Sequence, residues 1–448
     1  MKKFENKVGI FVPELIFPNE NIDLGRFAVV ACDQYTSQPS YWEETERIVG
    51  DKPSALRMML PEMYLDKPDE AERIAAINAA MDRYVEDGTL ENKGQGFVLV
   101  RRSVAGNVRL GLVVALDLEC YDFRKGSTTL IRATEGTIVE RIPPRLRIRE
   151  NAPLEMPHII VLIDDPEKTV IEPLYDCVLK NDGKKLYDFE LMQDGGHIEG
   201  WFIGCEDCIK KTIGAVEALA DEGKFRAQYG DKATMVFAMG DGNHSFATAK
   251  ANWEKVKETL PESEWEDHPA RYALVELENV HDDGIIFEPI HRVLFNVDTK
   301  KTVEYLTESL KSDNGGCTLE LYNALDEANA KMAQLNENGE HLLPVCFDDK
   351  YGFFRVSAPA SQLEVGTLQH ALDKLLKDMP GVVIDYIHGA DVVYELGMKE
   401  NNMGFLLPPM HKSALFRTVV FDGALPRKTF SMGEANEKRY YLECKRIK

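Results

Sequence analysis

The stretch ATMVFAMGDGNHSFATAK, residues 233–250, decides the reading of this chain. Its apolar run, Met235–Met239, has the length and composition of a buried strand. The run breaks at Gly240-Asp241-Gly242-Asn243-His244, and a helical pattern follows from Ser245 to about Thr259. A strand that turns through glycines into a helix leaves several backbone N–H groups unpaired and aimed at one point. The helix dipole adds to their pull on an anion. The same turn carries a carboxylate, an amide and an imidazole. Plain turn chemistry is the competing account, with Ser245 as the helix N-cap and His244 tucked against the strand.

Around that corner the composition is that of an ordinary globular protein. Its 448 residues suffice for two or three domains, and 29% charged with 44% hydrophobic residues gives no sign of disorder. A formal net charge of −22 argues against non-specific binding to nucleic acid or to an anionic membrane. The longest apolar stretches, such as Met156–Ile163, are far too short to span a bilayer. The N-terminus lacks a signal-peptide apolar region and cleavage site, so a cytoplasmic location is expected. Eight scattered cysteines do not make a disulfide framework. Cys205-Glu206-Asp207-Cys208 has CxxC spacing, but a structural zinc or redox role is the minor reading. No second pair stands at zinc-ribbon distance, and the motif opens an acidic amphipathic helix over 205–223.

Taken in order, the chain offers a strand at Phe27–Ala31 and then Cys32-Asp33-Gln34-Tyr35, a loop rich in hydrogen-bonding side chains, before a helix begins near Ser40. Glu70–Val85 is a helix with Ile74, Ile77, Met81 and Tyr84 down one side. Gly96–Arg101 and Val108–Leu118 form a hairpin about Val104-Ala105-Gly106-Asn107. Five arginines lie between Arg132 and Arg149. For Arg147 and Arg149 a solvated helix face paired with acids is the favoured reading. Arg132, in a small-residue loop with Glu135 three residues on, is a candidate for bidentate anion contact. Strands are expected at Pro157–Asp164 and Tyr272–Leu277, and His291-Arg292, between apolar residues, is a second cation source. The predicted division is an N-terminal α/β region, 1–295, and a C-terminal one, 296–448. The latter has helices at 301–311, 323–337, 366–378 and 391–399 and strands at 342–347, 352–357, 382–387 and 404–408. Its tail, Pro426-Arg427-Lys428-Thr429, precedes a last strand at Arg439–Leu442.

FAVVACDQY (27–35), IRATEGTIVERI (131–142), FAMGDGNHSFATA (237–249), EPIHRVLF (288–295), GFLLPP (404–409) and LPRKTFSM (425–432) occur in an order that resembles the family catalogued as domain of unknown function 1015. The likeness spans nearly the whole chain. In that family the central motif reads like Asp-Gly-His-His-Arg, the middle one like Arg-His-Glu-x-Thr and the tail like Pro-x-Lys-Ser-Thr. This chain departs from the pattern: Asn243 stands where the first histidine would be, and Ser245 where the arginine would be. More remotely it is similar to the ParB and sulfiredoxin superfamily, which includes free serine kinases. That resemblance implies a mixed α/β fold, with a ParB/sulfiredoxin-like nucleotide-binding core elaborated by a second α/β layer or domain, and a corner that holds nucleotide phosphates.

The leading expectation is an ATP- or ADP-dependent phosphotransferase acting on a small hydroxyl metabolite, serine first. Such chemistry needs in-line positioning, neutralised phosphate charge and a carboxylate to orient the acceptor. Glu135, Asp33, Asp241 and His244 are the catalytic candidates. Gly242, Asn243, His244, Ser245, Arg132, His291, Arg292 and Lys428 are the binding candidates, with Mg²⁺ and ATP or another nucleotide as cofactors. A nucleotide or metabolite sensor without turnover is the alternative, and a metal-dependent hydrolase using Asp241 and His244 the second. The expected partner is a small molecule, with nucleic acid and membrane excluded and a homodimer compatible with the sequence.

Overall fold

Leu112, Val114 and Leu116 point into one apolar cluster while Val113 between them joins another, the period-two alternation of a strand covered on both faces. That strand belongs to the hairpin expected from the sequence. Its turn is Ala105-Gly106, both at positive φ (50° and 81°), the backbone that a two-residue hairpin turn of matching twist demands. The computed structural model describes residues 2–181, 183–335 and 339–448. The chain divides into two units, Met1–Ile286 with Met432–Lys448, and Phe287–Ser431.

In the first unit, among the described residues, nine strands join in a mixed sheet. They are β1 (Ile10–Phe11), β2 (Phe97–Val104), β3 (Asn107–Asp117), β4 (Ile131–Arg132), β5 (Ile160–Ile163), β6 (Lys185–Glu190), β7 (His197–Ile203), β8 (Phe237–Asp241) and β9 (Tyr272–Asn279). Their order is β4-β8-β5-β9-β3-β2-β7-β6, with β1 beside β3. The flanking helices are α1 (Pro39–Val49), α2 (Glu70–Glu86), α3 (Ile142–Arg149), α4 (Glu172–Lys180), α5 (Glu206–Leu219), α6 (Glu222–Tyr229) and α7 (Asn243–Lys257). On one face Leu174 of α4, Ile209 and Ile213 of α5 and Phe246 of α7 pack on Val161, Phe237 and Met239. On the other, Trp42 of α1 and Ile77 and Met81 of α2 join Val98, Val100 and Leu274. Each such side chain taken fully out of water contributes about 1.5–3 kcal/mol.

Two expected strands do not form. Leu24–Phe27 is a helical turn, and Phe27–Ala31 and Arg439–Leu442 meet only at a single bridge, Val30 to Tyr440. Ala31 N–H donates to the Arg439 carbonyl (2.9 Å) and Tyr441 N–H to the Val29 carbonyl (2.9 Å), so these apolar segments pair with each other and not with the sheet. Buried arginines fix this tail. Arg102 donates to the carbonyls of Gly195 (2.7 Å), Asn436 (2.7 Å) and Lys438 (2.6 Å). Arg439 joins Glu276 and, at 2.5 Å, Glu443, and its Nε donates to the Pro157 carbonyl (3.0 Å). The helix expected over 205–223 is two helices, α5 and α6, with Asp221 capping the second through a bond from Lys224 N–H (2.8 Å).

The second unit is a fresh antiparallel sheet of β10 (His291–Phe295), β11 (Gly316–Tyr322), β12 (His341–Phe347), β13 (Lys350–Ser357), β14 (Val383–Ile387) and β15 (Asn402–Phe405), in the order β11-β13-β12-β15-β10-β14. Helices α8 (Thr299–Asp313), α9 (Leu325–Leu335), α10 (Glu364–Asp378), α11 (Ala390–Gly397) and α12 (Ala414–Asp422) accompany it. The alternation read from sequence is present, with β11 and α12 added to it. Positions 336 and 337 of the helix expected at 323–337 lie outside the described residues. The fold is mixed α/β with several sheets. Among the described residues no helix is long and apolar enough to cross a membrane.

Candidate functional site

Strand β8 delivers the corner. Phe237, Ala238 and Met239 are fully buried, with β4 parallel on one side and β5 antiparallel on the other. Gly240 falls out of register with β5, and a Cβ there would meet Leu162 and Met432 at 3.0 Å. Gly242 is the N-cap of α7 at φ 76°, ψ 28°, a left-handed conformation in which a Cβ would also press on the Ile159 backbone at 3.1 Å. Gly242, and not Ser245, is therefore the cap. The first intrahelical bond runs from Phe246 N–H to the Gly242 carbonyl, so the N–H groups of Asn243, His244 and Ser245 precede the ladder.

Asp241 ends the strand. Its Oδ1 accepts from Gly242 N–H (2.9 Å) and its Oδ2 lies 3.2 Å from the Lys438 ammonium. Burial presses this carboxyl upward, but Lys438, the Gly242 N–H and the His158 ring outweigh it and hold the group below the usual carboxylate range. His244 Nε2 accepts from Ile138 N–H (3.2 Å), which leaves Nδ1 to carry the proton of the neutral ring. Burial, then the Arg141 and Arg145 guanidinium groups, push its pKa down to about 4 against the pull of Asp33. Asn243 Oδ1 is buried with no hydrogen-bond partner.

Ser245 takes part in a chain of bonds that crosses the unit. Cys32 N–H donates to the Tyr441 hydroxyl (3.1 Å), Tyr441 lies 2.8 Å from His158 Nδ1, and His158 Nε2 lies 2.7 Å from Ser245 Oγ. With the buried Tyr441 hydroxyl held protonated and donating a hydrogen bond to Nδ1, the matching tautomer of His158 has Nε2–H donating to Ser245 Oγ.

The loop after β4 runs beside the corner. Thr134 Oγ1 donates to the Met239 carbonyl (2.6 Å), and Ile138 is bound to His244, so half-buried Glu135 is held between two fixed points. Asp33 accepts from the Gln34 amide (2.9 Å) and stands within electrostatic reach of His244. Asp33 and Asp241–Ser245 thus gather at one end of β8, and Glu135 lies in the loop that runs beside it. Arg132 does not join them. Its guanidinium turns back to the carbonyls of Thr129 (3.0 Å) and Ala233 (2.6 Å), ahead of β8.

Arg145 pairs with Glu62, Arg147 with Glu70 (2.7 Å) and Asp66 (2.8 Å), and Arg149 with Glu155, as a basic helix face among acids would. His158, Tyr441, Lys438, Arg141 and Arg145 are the corner residues that sequence reasoning did not single out. The one signal for His158 is its position at the entry to the apolar run 159–163.

His291, Arg292 and Lys428 belong to the second unit. His291 Nδ1 accepts from Leu407 N–H (3.0 Å). Arg292 is fully buried, and it donates to the Gln369 side chain (3.1 Å) and to the carbonyls of Ile290, Arg427 (3.2 Å) and Lys428 (3.0 Å). It fixes the turn in which Lys428 takes φ 58°.

No curated protein matches this chain. Among solved structures it is similar to a free serine kinase in complex with ADP, at 10% identity and TM-score 0.39, covering 75% of this chain and 92% of that one. It is also similar to a conserved hypothetical protein from Pyrococcus furiosus, at 12% identity and TM-score 0.34, covering 74% and 90%. C-terminally truncated SbnI from Staphylococcus aureus aligns at 9% identity and TM-score 0.33, covering 72% and 82%. Residues 15–375 match the family described as "Protein of unknown function (DUF1015)", and the chain belongs to that family.

Proposed function

We propose that the corner at the end of β8 binds the phosphates of a nucleotide and that the protein transfers phosphate to a small hydroxyl-bearing metabolite, with serine the first acceptor to test. The observation that carries the reading is the gathering of Asp33 and Asp241 with Lys438, Arg141 and Arg145 around the left-handed glycine that opens α7, with the Glu135 loop alongside. The N–H groups of Asn243, His244 and Ser245 and the helix dipole would cradle phosphate oxygens. Ser245, whose Oγ lies 2.7 Å from His158 Nε2, would donate its own hydrogen to the same anion. His244 would meet it through Nδ1–H as a neutral donor.

The oxygen ligands present suit a hard cation: Asn243 Oδ1 is an acceptor without a partner, and Asp241 is ionised beside it. Bound Mg²⁺ would neutralise phosphate charge, with Asn243 and Asp241 as the residues to hold it. Glu135 is assigned the acceptor's hydroxyl proton, and Asp33 is assigned to orient the acceptor. A second reading, a sensor that binds without turnover, draws on the arginine forks: those of Arg132 and Arg292 are taken up by backbone carbonyls.

Thermal shift of the purified protein against ATP, ADP, CTP and GTP, with and without Mg²⁺ and serine, tests the binding step. A ligand at about 100 times its dissociation constant stabilises the folded state by about 2.7 kcal/mol. A shift with one nucleotide, lost in His244→Ala, is expected. No shift at millimolar concentration would sink the reading. Glu135→Gln separates the two versions, since an enzyme loses phosphorylated product while keeping nucleotide binding, and a sensor forms no product at all.

A further inference from the structure

Helices α4 and α5 bring three thiols, Cys177, Cys205 and Cys208, into one neighbourhood, in residues that the proposed reaction does not use. Cys205 is the N-cap of α5, solvent-exposed, and Cys208 is the third residue of that helix, half-buried against the apolar cluster that holds Ile209 and Ile213. N-cap and N3 face each other across the first helical turn, the reach by which an N-cap side chain touches the N3 backbone. The Cys208 thiol has Cys205 and Cys177 of α4 as neighbours, and both disfavour its ionisation. Cys177 in turn accepts from the Asn181 amide at 3.4 Å.

These groups differ in character. The N–H of Cys208, its thiol and the N–H of Asp207 favour the Cys205 thiolate and hold that pKa below the usual thiol range. Burial, then the neighbouring Cys205, push Cys208 up to about 11. An exposed thiolate at a helix start with a protonated thiol behind it suits nucleophilic attack followed by resolution. A metal site fits less well. Among the described residues the group whose candidate ligand atoms all close to within 4.8 Å is Asp188, His197 and Glu199, and the three thiols are not so gathered.

We propose that Cys205 and Cys208 are a redox-active dithiol, closed to an intramolecular disulfide by exchange with a low-molecular-weight disulfide and reopened by thiols. The Cys205 sulfur attacks one sulfur of the reagent, a mixed disulfide forms, and the first thiolate leaves and takes a proton from water. Cys208 gives its proton to solvent, and its sulfur attacks the Cys205 sulfur. The mixed bond breaks and the second thiolate leaves. That thiolate is protonated by solvent in turn, so the protein has lost two protons and two electrons and the reagent, having taken up as many, has become two thiols.

The test uses the full-length chain and oxidised glutathione, with acid quenching and peptide mapping by mass spectrometry. A Cys205–Cys208 link that dithiothreitol reverses is expected. In Cys208→Ser the glutathione adduct should persist on Cys205, and in Cys177→Ser the link should still close. At pH 7 Cys205 in the reduced protein should be alkylated by iodoacetamide about tenfold faster than Cys317. A wild-type protein that stays reduced, or that links Cys177 to Cys208 and leaves Cys205 free, overturns the proposal. That wild-type result stands whether or not either serine variant folds.

Discussion

The ammonium of Lys438 stands 3.2 Å from Oδ2 of Asp241, joining the tail of the chain to the end of the central strand β8. The side chains are 11% and 24% exposed, so the pair is largely withdrawn from water and neither charge is left to solvent alone. Lys438 also donates to the Met432 carbonyl (3.0 Å), which fixes its reach.

Removing that cation should therefore be felt as stability. Lys438→Met leaves a buried carboxylate short of its counter-charge and is expected to cost about 1–3 kcal/mol. Asp241 titrates below its unfolded value, so its contribution is present above about pH 4, where the unfolded carboxyl is ionised. It is lost as pH falls through the lower folded value. Thermal unfolding of wild type and variant between pH 3 and 7 should show the two curves converging at the acid end. Parallel curves would mean that the pair contributes nothing.

His244 should show the same loss of stability on acidification, in a higher pH window, because it too titrates below its ordinary value. Its folded pKa of about 4 lies below the ordinary histidine value of about 6.5, so between these the unfolded chain binds a proton that the folded one refuses. Stability should fall as pH drops from about 6.5 to about 4 and be insensitive to this residue above that window. His244→Asn should flatten that segment of the stability curve, and the ring's own NMR titration should have a midpoint near 4. A midpoint near 6.5 would show that the ring is not buried beside Arg141 and Arg145.

Arg132 is placed to hold loops together. Its Nε and Nη2 bridge the carbonyls of Thr129 and Ala233, and the residue is 7% exposed. Arg132→Ala should cost about 2–3 kcal/mol by leaving those carbonyls unsatisfied. It should change the affinity for any nucleotide by no more than about twofold. The reverse pattern, an unchanged melting temperature with binding lost, would make Arg132 a ligand contact after all.

What the sequence made legible follows from what is local. The β8–α7 corner is announced by an apolar run, two glycines and a helical period within twenty-odd residues, and only the cap shifts, from Ser245 to Gly242. Burial of Arg132 and Arg292 could not be seen, because an arginine among small or apolar residues reads the same whether its fork meets a ligand or distant carbonyls. His158, Lys438 and Tyr441 were silent for a related reason. Their meaning comes from Ser245, Asp241 and Cys32, partners far away in the chain. The segments Phe27–Ala31 and Arg439–Leu442 have strand composition, yet each finds its partner in the other and stops after one bridge. Strand β11 escaped notice because its residues are half-exposed on both sides, so no clean alternation marks it.

The return of Met432–Lys448 to the first unit has a consequence for biosynthesis. A ribosome that has completed residue 286 has made all nine strands of that unit's sheet but neither Lys438 nor Tyr441. All of Phe287–Ser431 must be translated before those side chains exist, a delay on the order of ten seconds at usual elongation rates. During that interval Asp241 has no ammonium beside it, and the apolar residues around Val30 have no cover from Tyr440. The nascent chain is thus most exposed to chaperones and proteases while its second unit is being made.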